Sequence, residues 1–332
     1  MAEAVVDRMN RYLQDVISAE RNFESALSSF GKAGEQLAVQ ELLSSFSAKA
    51  RTQHERLTAL LVKRGGSPSP GKTLLAEMLA FTPLSAQIGQ GSSEKNTQHL
   101  MVTFAAAAAE MAMYESLAAA ATEAGDQEVL SLARKLQAEE HDDYVQVWAI
   151  LRRSASESFR TDVAKGKSPQ VIITTYLEDA IAAEKSFETQ LREFAKEGDD
   201  PTAHALFETH AEETKGQYEE LTQRLSALGG SPSTLKSFLA HVFNFAPKIA
   251  QIGHDGPDRL TQNLMMAFAV ENAEVAMYES LAEVAAVAGD LETKQLAMSI
   301  QKQERETAEK VWAQISPTAK SAIADLPMSQ AA

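Results

Sequence analysis

The sequence predicts an all-α protein built from two tandem four-helix bundles. Three observations lead there. Apolar residues recur at helical spacing through most of the chain. Alanine is abundant and aromatic residues scarce, with only 10 prolines among 332 residues, which favours packed helices over sheets. The second half also repeats the first at a fixed offset of 164 residues, the spacing of Glu110 and Glu274.

In the first half, Met9, Leu13, Val16, Ile17, Phe23 and Leu27 form one stripe of a helix from about Val5 to Phe30, ending near Gly31 or Gly34. A second helix is expected over Leu37 to Lys63, with Leu42, Phe46, Leu57 and Leu61 on one side, and Gly65-Gly66-Ser67-Pro68 breaks the chain after it. Leu74 to Ile88, which contains Pro83, reads as one or two short helices inside a long crossover. The third helix runs from about Asn96 to Ala124 and stops at Gly125-Asp126. The fourth covers Gln127 to Leu151, with Leu130, Leu136, Tyr144 and Val147 inward. Short connections make hairpins of helices one and two and of helices three and four. The long connection between helices two and three is the crossover of ferritin-like bundles.

The pattern then begins again. Tyr12, Glu20 and Phe23 correspond to Tyr176, Glu184 and Phe187; Gly125-Asp126 corresponds to Gly289-Asp290, and Trp148 to Trp312. No gap is needed between 11–151 and 175–315, and 14 of 21 positions in 97–117 are identical in 261–281. A period of domain size marks tandem domains and not a solenoid. The expected division is a first bundle at 1–153, a polar linker at 154–169, a second bundle at 170–320 and a flexible tail at 321–332. The duplication further suggests that the halves pack together as an intramolecular pseudo-dimer, with homo-oligomers open.

Composition excludes several functions. A formal net charge of −15 opposes binding to nucleic acid or anionic membranes. The basic group Arg152, Arg153, Arg160, Lys165 and Lys167 falls in the expected linker and reads as solvated. There is no cysteine, hence no disulfide, thiolate metal site or cysteine nucleophile. No run approaches a membrane span and no N-terminal stretch resembles a signal peptide, so a cytoplasmic protein is expected. Gly65 to Lys72 lacks phosphate-loop spacing and follows a helix.

The informative residues are carboxylates on stripes that should be apolar. Glu20 lies three residues after Ile17 and seven before Leu27, Glu110 one turn before Tyr114, and Glu140 four after Leu136. Their counterparts are Glu184, Glu274 and Glu304. Clustered carboxylates repel and take up protons unless cations intervene. Facing helices that converge glutamates are the arrangement that holds paired iron or manganese ions. On helix two of the second half, Leu206, His210, Glu213, Gln217 and Leu221 share a face; the first half has Phe46, Lys49 and Gln53 there. Glu271 adds a second carboxylate on helix three, where the equivalent residue of the first half is the inert Ala107. The candidate ligands are therefore Glu184, His210, Glu213, Glu271, Glu274 and Glu304, with Glu184 and Glu304 terminal, Glu213 and Glu274 bridging, and His210 a terminal or outlying nitrogen. A partly protonated polar core without metal is the competing reading. In the first half, Lys49 is expected to point inward and neutralise Glu20, Glu110 or Glu140, excluding metal. Tyr114 and Tyr278 read as core side chains with satisfied hydroxyls.

Ala183-Glu184, the run from His210 to Gln217 and the run from Glu271 to Tyr278, with Gly289-Asp290, Glu304 and Trp312, resemble the bacterial YciE/YciF-type stress-response family. The resemblance implies a ferritin-like bundle, usually dimeric, in a bacterial stress response. Di-iron ferritin-like proteins generally carry Glu-x-x-His on helices two and four. Here helix two has His210 and Glu213 in reversed order, and Thr307 stands three residues after Glu304. The alternative to a metal-binding protein is a non-enzymatic helical scaffold that has kept the bundle without the metal.

Overall fold

The computed structural model describes residues 3–33, 36–68, 94–197, 200–232 and 256–326. Among the described residues there are eight helices and no strand, so the chain is all-α. The first half contributes α1 (Glu3–Ala33), α2 (Leu37–Lys63), α3 (Glu94–Ala124) and α4 (Gln127–Ala164). The second contributes α5 (Pro169–Ala195), α6 (Pro201–Ala227), α7 (Gly256–Ala288) and α8 (Leu291–Ala324). The short helices expected around Pro83, and their counterparts around Pro247, lie outside the described residues.

Helices α1 and α2 form an antiparallel hairpin. Arg64 Nε donates to Asn10 at 3.2 Å near one end, and Arg51 Nε to Glu24 at 2.7 Å nearer the other. The α3–α4 and α7–α8 hairpins turn at Gly125 and Gly289, with φ of 70° and 79°, a left-handed conformation that glycine adopts without steric penalty. The aspartate that follows each glycine caps the next helix. Asp126 accepts from the Val129 amide at 3.2 Å and Asp290 from the Thr293 amide at 3.0 Å, which satisfies one of the open amides of a helix start.

Helix α3 is buried over most of its circumference, with Leu100 to Glu110 without a break inside the molecule. A helix apolar on all sides belongs at the centre, and its alanines at 105–109 let neighbours come close. Helix α7 has the same character. The two pack against one another, α3 also against α8, and α7 against α4, so the halves meet through their third and fourth helices. One hydrophobic cluster runs through both halves, including Phe104, Phe159, Ile172 and Tyr278. A second fills the other end of the first half and takes in Ile323 from α8.

Two boundaries differ from those expected. Residues 154–164, read as linker, continue α4, and the connection to α5 is only 165–168. The polarity of this stretch misleads because its hydroxyls have partners: Ser154 and Ser158 Oγ each lie 3.1 Å from Thr97 Oγ1. Nor is the basic group simply solvated, since Arg152 pairs with Glu279 at 2.8 Å and Lys167 with Glu94 at 3.1 Å. Likewise 321–324 belong to α8, with Ala322 and Ile323 buried; 327–332 lie outside the described residues.

Buried polar groups also join the halves. Arg8 Nη1 is 2.8 Å from Asp258 and donates to the Ala322 carbonyl at 3.3 Å, and the Tyr12 hydroxyl donates to Asp258 at 2.5 Å. Glu94 occupies the position equivalent to Asp258, and Lys167 bridges it to Asp162. Removing the cation from a buried pair costs about 3–5 kcal/mol. Arg8→Ala is therefore expected to lower the calorimetric unfolding midpoint strongly. Arg153→Ala, which breaks only an exposed pair with Glu157 one turn away, should leave it unchanged.

Candidate metal centre

In the second half, four helices each send polar groups to one interior point. On α5, Glu184 follows Leu177, Ala180 and Ile181 on the buried stripe and precedes Phe187. On α6 the buried stripe is Phe207, His210, Thr214, Gln217 and Leu221. Helix α7 supplies Glu271, Glu274 and Tyr278, and α8 supplies Glu304 and Thr307. None of Glu184, His210, Glu271, Glu274 and Glu304 is more than 2% exposed.

Their ligand atoms form two groups of three, each within 4.8 Å: Glu184, Glu274 and Glu304, and His210, Glu271 and Glu304. Glu304 belongs to both. The Tyr278 hydroxyl donates to Glu184 Oε1 and the Gln217 amide to Glu304 Oε1. The other oxygens of these two carboxylates, and both oxygens of Glu271 and Glu274, are buried without a donor. His210 Nδ1 is 3.0 Å from Glu271 and Nε2 is 3.6 Å from Glu304, yet neither contact has hydrogen-bond alignment. The Phe187 ring meets the imidazole edge-on at 5.3 Å.

Burial, followed by the neighbouring charge of Glu304, pushes the carboxyl groups of Glu184 and Glu271 well above the usual range. Glu274 is raised by burial and then by Glu184 and Glu304. Without a cation, burial and mutual repulsion both favour the protonated form of these groups. The donor set, oxygens with one imidazole, suits first-row divalent ions.

Glu213 departs from the expected set. Its side chain is exposed, and the helix turns Thr214 and Gln217 inward with His210 instead. At 100° per residue, positions 213 and 214 fall on opposite sides of His210, and packing selects Thr214. The shared carboxylate is Glu304, which the sequence reading made terminal. Glu213 lines a cleft of about 510 Å³ together with Leu206, His210, Thr307 and Lys310. It therefore stands at the outer approach to the buried imidazole.

The first half repeats part of this arrangement. Ligand atoms of Glu20, Glu110 and Glu140 lie within 4.8 Å of one another. The Tyr114 hydroxyl donates to Glu20, and Gln53 Nε2 to Glu140 at 2.7 Å. Buried Phe46 and Ala107 stand where the second half has His210 and Glu271. Lys49 does not reach into the glutamate cluster as expected. Its amine donates to Asp143 and to the Glu139 carbonyl, the latter at 2.9 Å. Asp143 was missed in the sequence, although it continues the stripe of Leu136, Glu140 and Val147 at helical spacing. Burial raises Glu140 to about 7 and Asp143 to about 6, and moves Glu20 and Glu110 well above the usual range. The tyrosine hydroxyls are satisfied, as expected, and by the glutamates themselves.

Fold and site together define a duplicated helical-bundle protein with a buried carboxylate cluster in each half. The chain belongs to the family described as a domain of unknown function, DUF892, whose model matches residues 7–158 and again 169–324. This is the YciF-type family, and its two matches fit a tandem duplication. No curated protein and no solved structure matches the chain.

The raised carboxyl groups set the pH response of the metal-free chain. Glu140 has an ordinary value of 4.5 and a folded value of about 7. Below the first, folded and unfolded chains both hold the proton; between the two, only the folded chain does. Stability therefore falls as pH rises through this window. After chelation, the thermal midpoint is expected to drop between pH 5 and pH 7, and Glu140→Gln should make that slope shallower.

Proposed function

We propose that the second bundle is a ferritin-like carboxylate centre holding a pair of iron or manganese ions, in a bacterial stress-response protein. The observation that carries this reading is the pair of three-residue groups joined through Glu304, whose free oxygens and imidazole nitrogens have no hydrogen-bond donor or acceptor. Glu184 and Glu274 would hold one ion, His210 and Glu271 the other, and Glu304 would bridge them. A bound iron pair supplies redox chemistry toward oxygen or peroxide.

The remaining residues position and protect this set. Tyr278 and Gln217 fix one oxygen of Glu184 and of Glu304, leaving the other turned inward; such outer hydrogen bonds orient ligands and tune their basicity. Glu213, at the cleft beside His210, places an exposed negative charge on the path of an entering cation. Phe187, edge-on to the imidazole, and Phe207, one turn before His210, are buried and add apolar surface beside it. A scaffold without metal has less support, because it would bury these oxygens with only protons to neutralise them.

Elemental analysis of the full chain after aerobic purification with supplementary iron or manganese tests the reading. Glu304→Gln is expected to lower the content by about two ions per chain, and added metal should raise the melting temperature of the wild-type chain but not through this site in the variant. Glu213→Gln should slow loading while leaving the final content unchanged. Content below about 0.2 ion per chain, or unchanged in Glu304→Gln, refutes a structural or catalytic centre here, since tight sites fill to whole stoichiometry.

A further inference from the structure

We propose that the first bundle is also a cation site, and that it takes a single divalent ion where the second takes a pair. The proposal shares with the reading above only the class of cation. It rests on a comparison of the two interiors, atom by atom.

The group Glu184, Glu274 and Glu304 has one hydroxyl donor, Tyr278, and one amide donor, Gln217. The group Glu20, Glu110 and Glu140 has the same two, Tyr114 and Gln53, on the same two carboxylates. In both halves the free atoms are the second oxygens of the outer two glutamates and both oxygens of the helix-three glutamate. Glu110 is 1% exposed, and neither of its oxygens has a donor. An unpartnered buried carboxylate turned into a cluster of two others is what a cation would complete.

The second ion's ligands have been replaced. Phe46 fills the position of His210 and Ala107 that of Glu271, so the groups that would hold it are a phenyl ring and a methyl. Lys49 does not serve as a built-in cation for the glutamates. Its ammonium is committed to Asp143 and the Glu139 carbonyl and lies 5.7 Å from the Phe46 ring centre. Lys49 and Asp143 occupy the positions of Glu213 and Thr307, which line the cleft of the second half. The first interior thus keeps three carboxylates for one ion, walled off at the side where the second is approached. The rival occupant is protons, shared between Glu110 and its neighbours.

Titration of the full-length chain with Mn²⁺ by equilibrium dialysis, read with low-temperature electron paramagnetic resonance, separates these outcomes. The wild-type chain should take up about three ions and give the six-line spectrum of an isolated ion beside the signal of a coupled pair. Glu110→Gln should bind one ion fewer and lose the six-line component. The double variant Glu271→Gln/Glu274→Gln should keep that one ion and its spectrum. Glu20→Gln provides a second variant with the same expected loss, and circular dichroism verifies that each chain is folded. Should the double variant bind nothing, or Glu110→Gln leave the wild-type content intact, the first cluster holds only protons and the proposal falls. If the wild-type chain binds one ion that Glu110→Gln abolishes and the double variant retains, the proposal stands and the reading of the second bundle falls instead.

Discussion

Everything in the two interiors follows from placing carboxylates where water cannot reach them. A desolvated carboxylate costs several kcal/mol, and a hydrogen bond to a charged group returns about 1.5–3 kcal/mol. Each cluster gives its three shared glutamates two neutral donors, so the balance must come from protons or a cation. The donors also brace the bundle. Tyr278 ties α7 to α5 and Gln217 ties α6 to α8, and Tyr114 and Gln53 do the same among α1 to α4. Four helices are cross-linked at the level of the cluster, which fixes where its free oxygens can point.

The halves then differ by a few substitutions on a common frame. Phe46 and Ala107 against His210 and Glu271 remove an imidazole and a carboxylate from the first half. Lys49 with Asp143 replaces Glu213 with Thr307 and turns an approach into an ion pair. These changes act on one side of the interior only. The side bearing Tyr114, Glu20 and Gln53 keeps the second half's residue types at every one of those positions.

Much of this was legible in the sequence. The repeat, the hairpins and the inward glutamates follow from period and spacing, because burial imposes a helical rhythm on any residue that faces the core. Glu213 was misplaced because positions three and four residues on from His210 lie about 60° and 40° to either side of it, and only packing chooses between them. Lys49 was misread because a long side chain can leave the stripe its backbone occupies, and its partner Asp143 had not been picked out. The boundary at 154 was misjudged because polarity signals solvent until the partner is known. Arg152 finds Glu279, and Ser154 finds Thr97, across separations that no local pattern records. That Glu304 lies in both groups was likewise invisible, since it depends on the relative heights of four helices.

The connection at 165–168 has a consequence for how such a molecule can change. Two separate copies of one bundle would show every substitution twice, so a ring placed in one interior would appear in the other. Joined by four residues, the copies are free to diverge while remaining in a fixed one-to-one ratio. A phenylalanine at 46 with an alanine at 107, and a histidine at 210 with a glutamate at 271, can coexist in every molecule. The short tether therefore turns a symmetric architecture into one able to hold two unlike interiors at constant proportion.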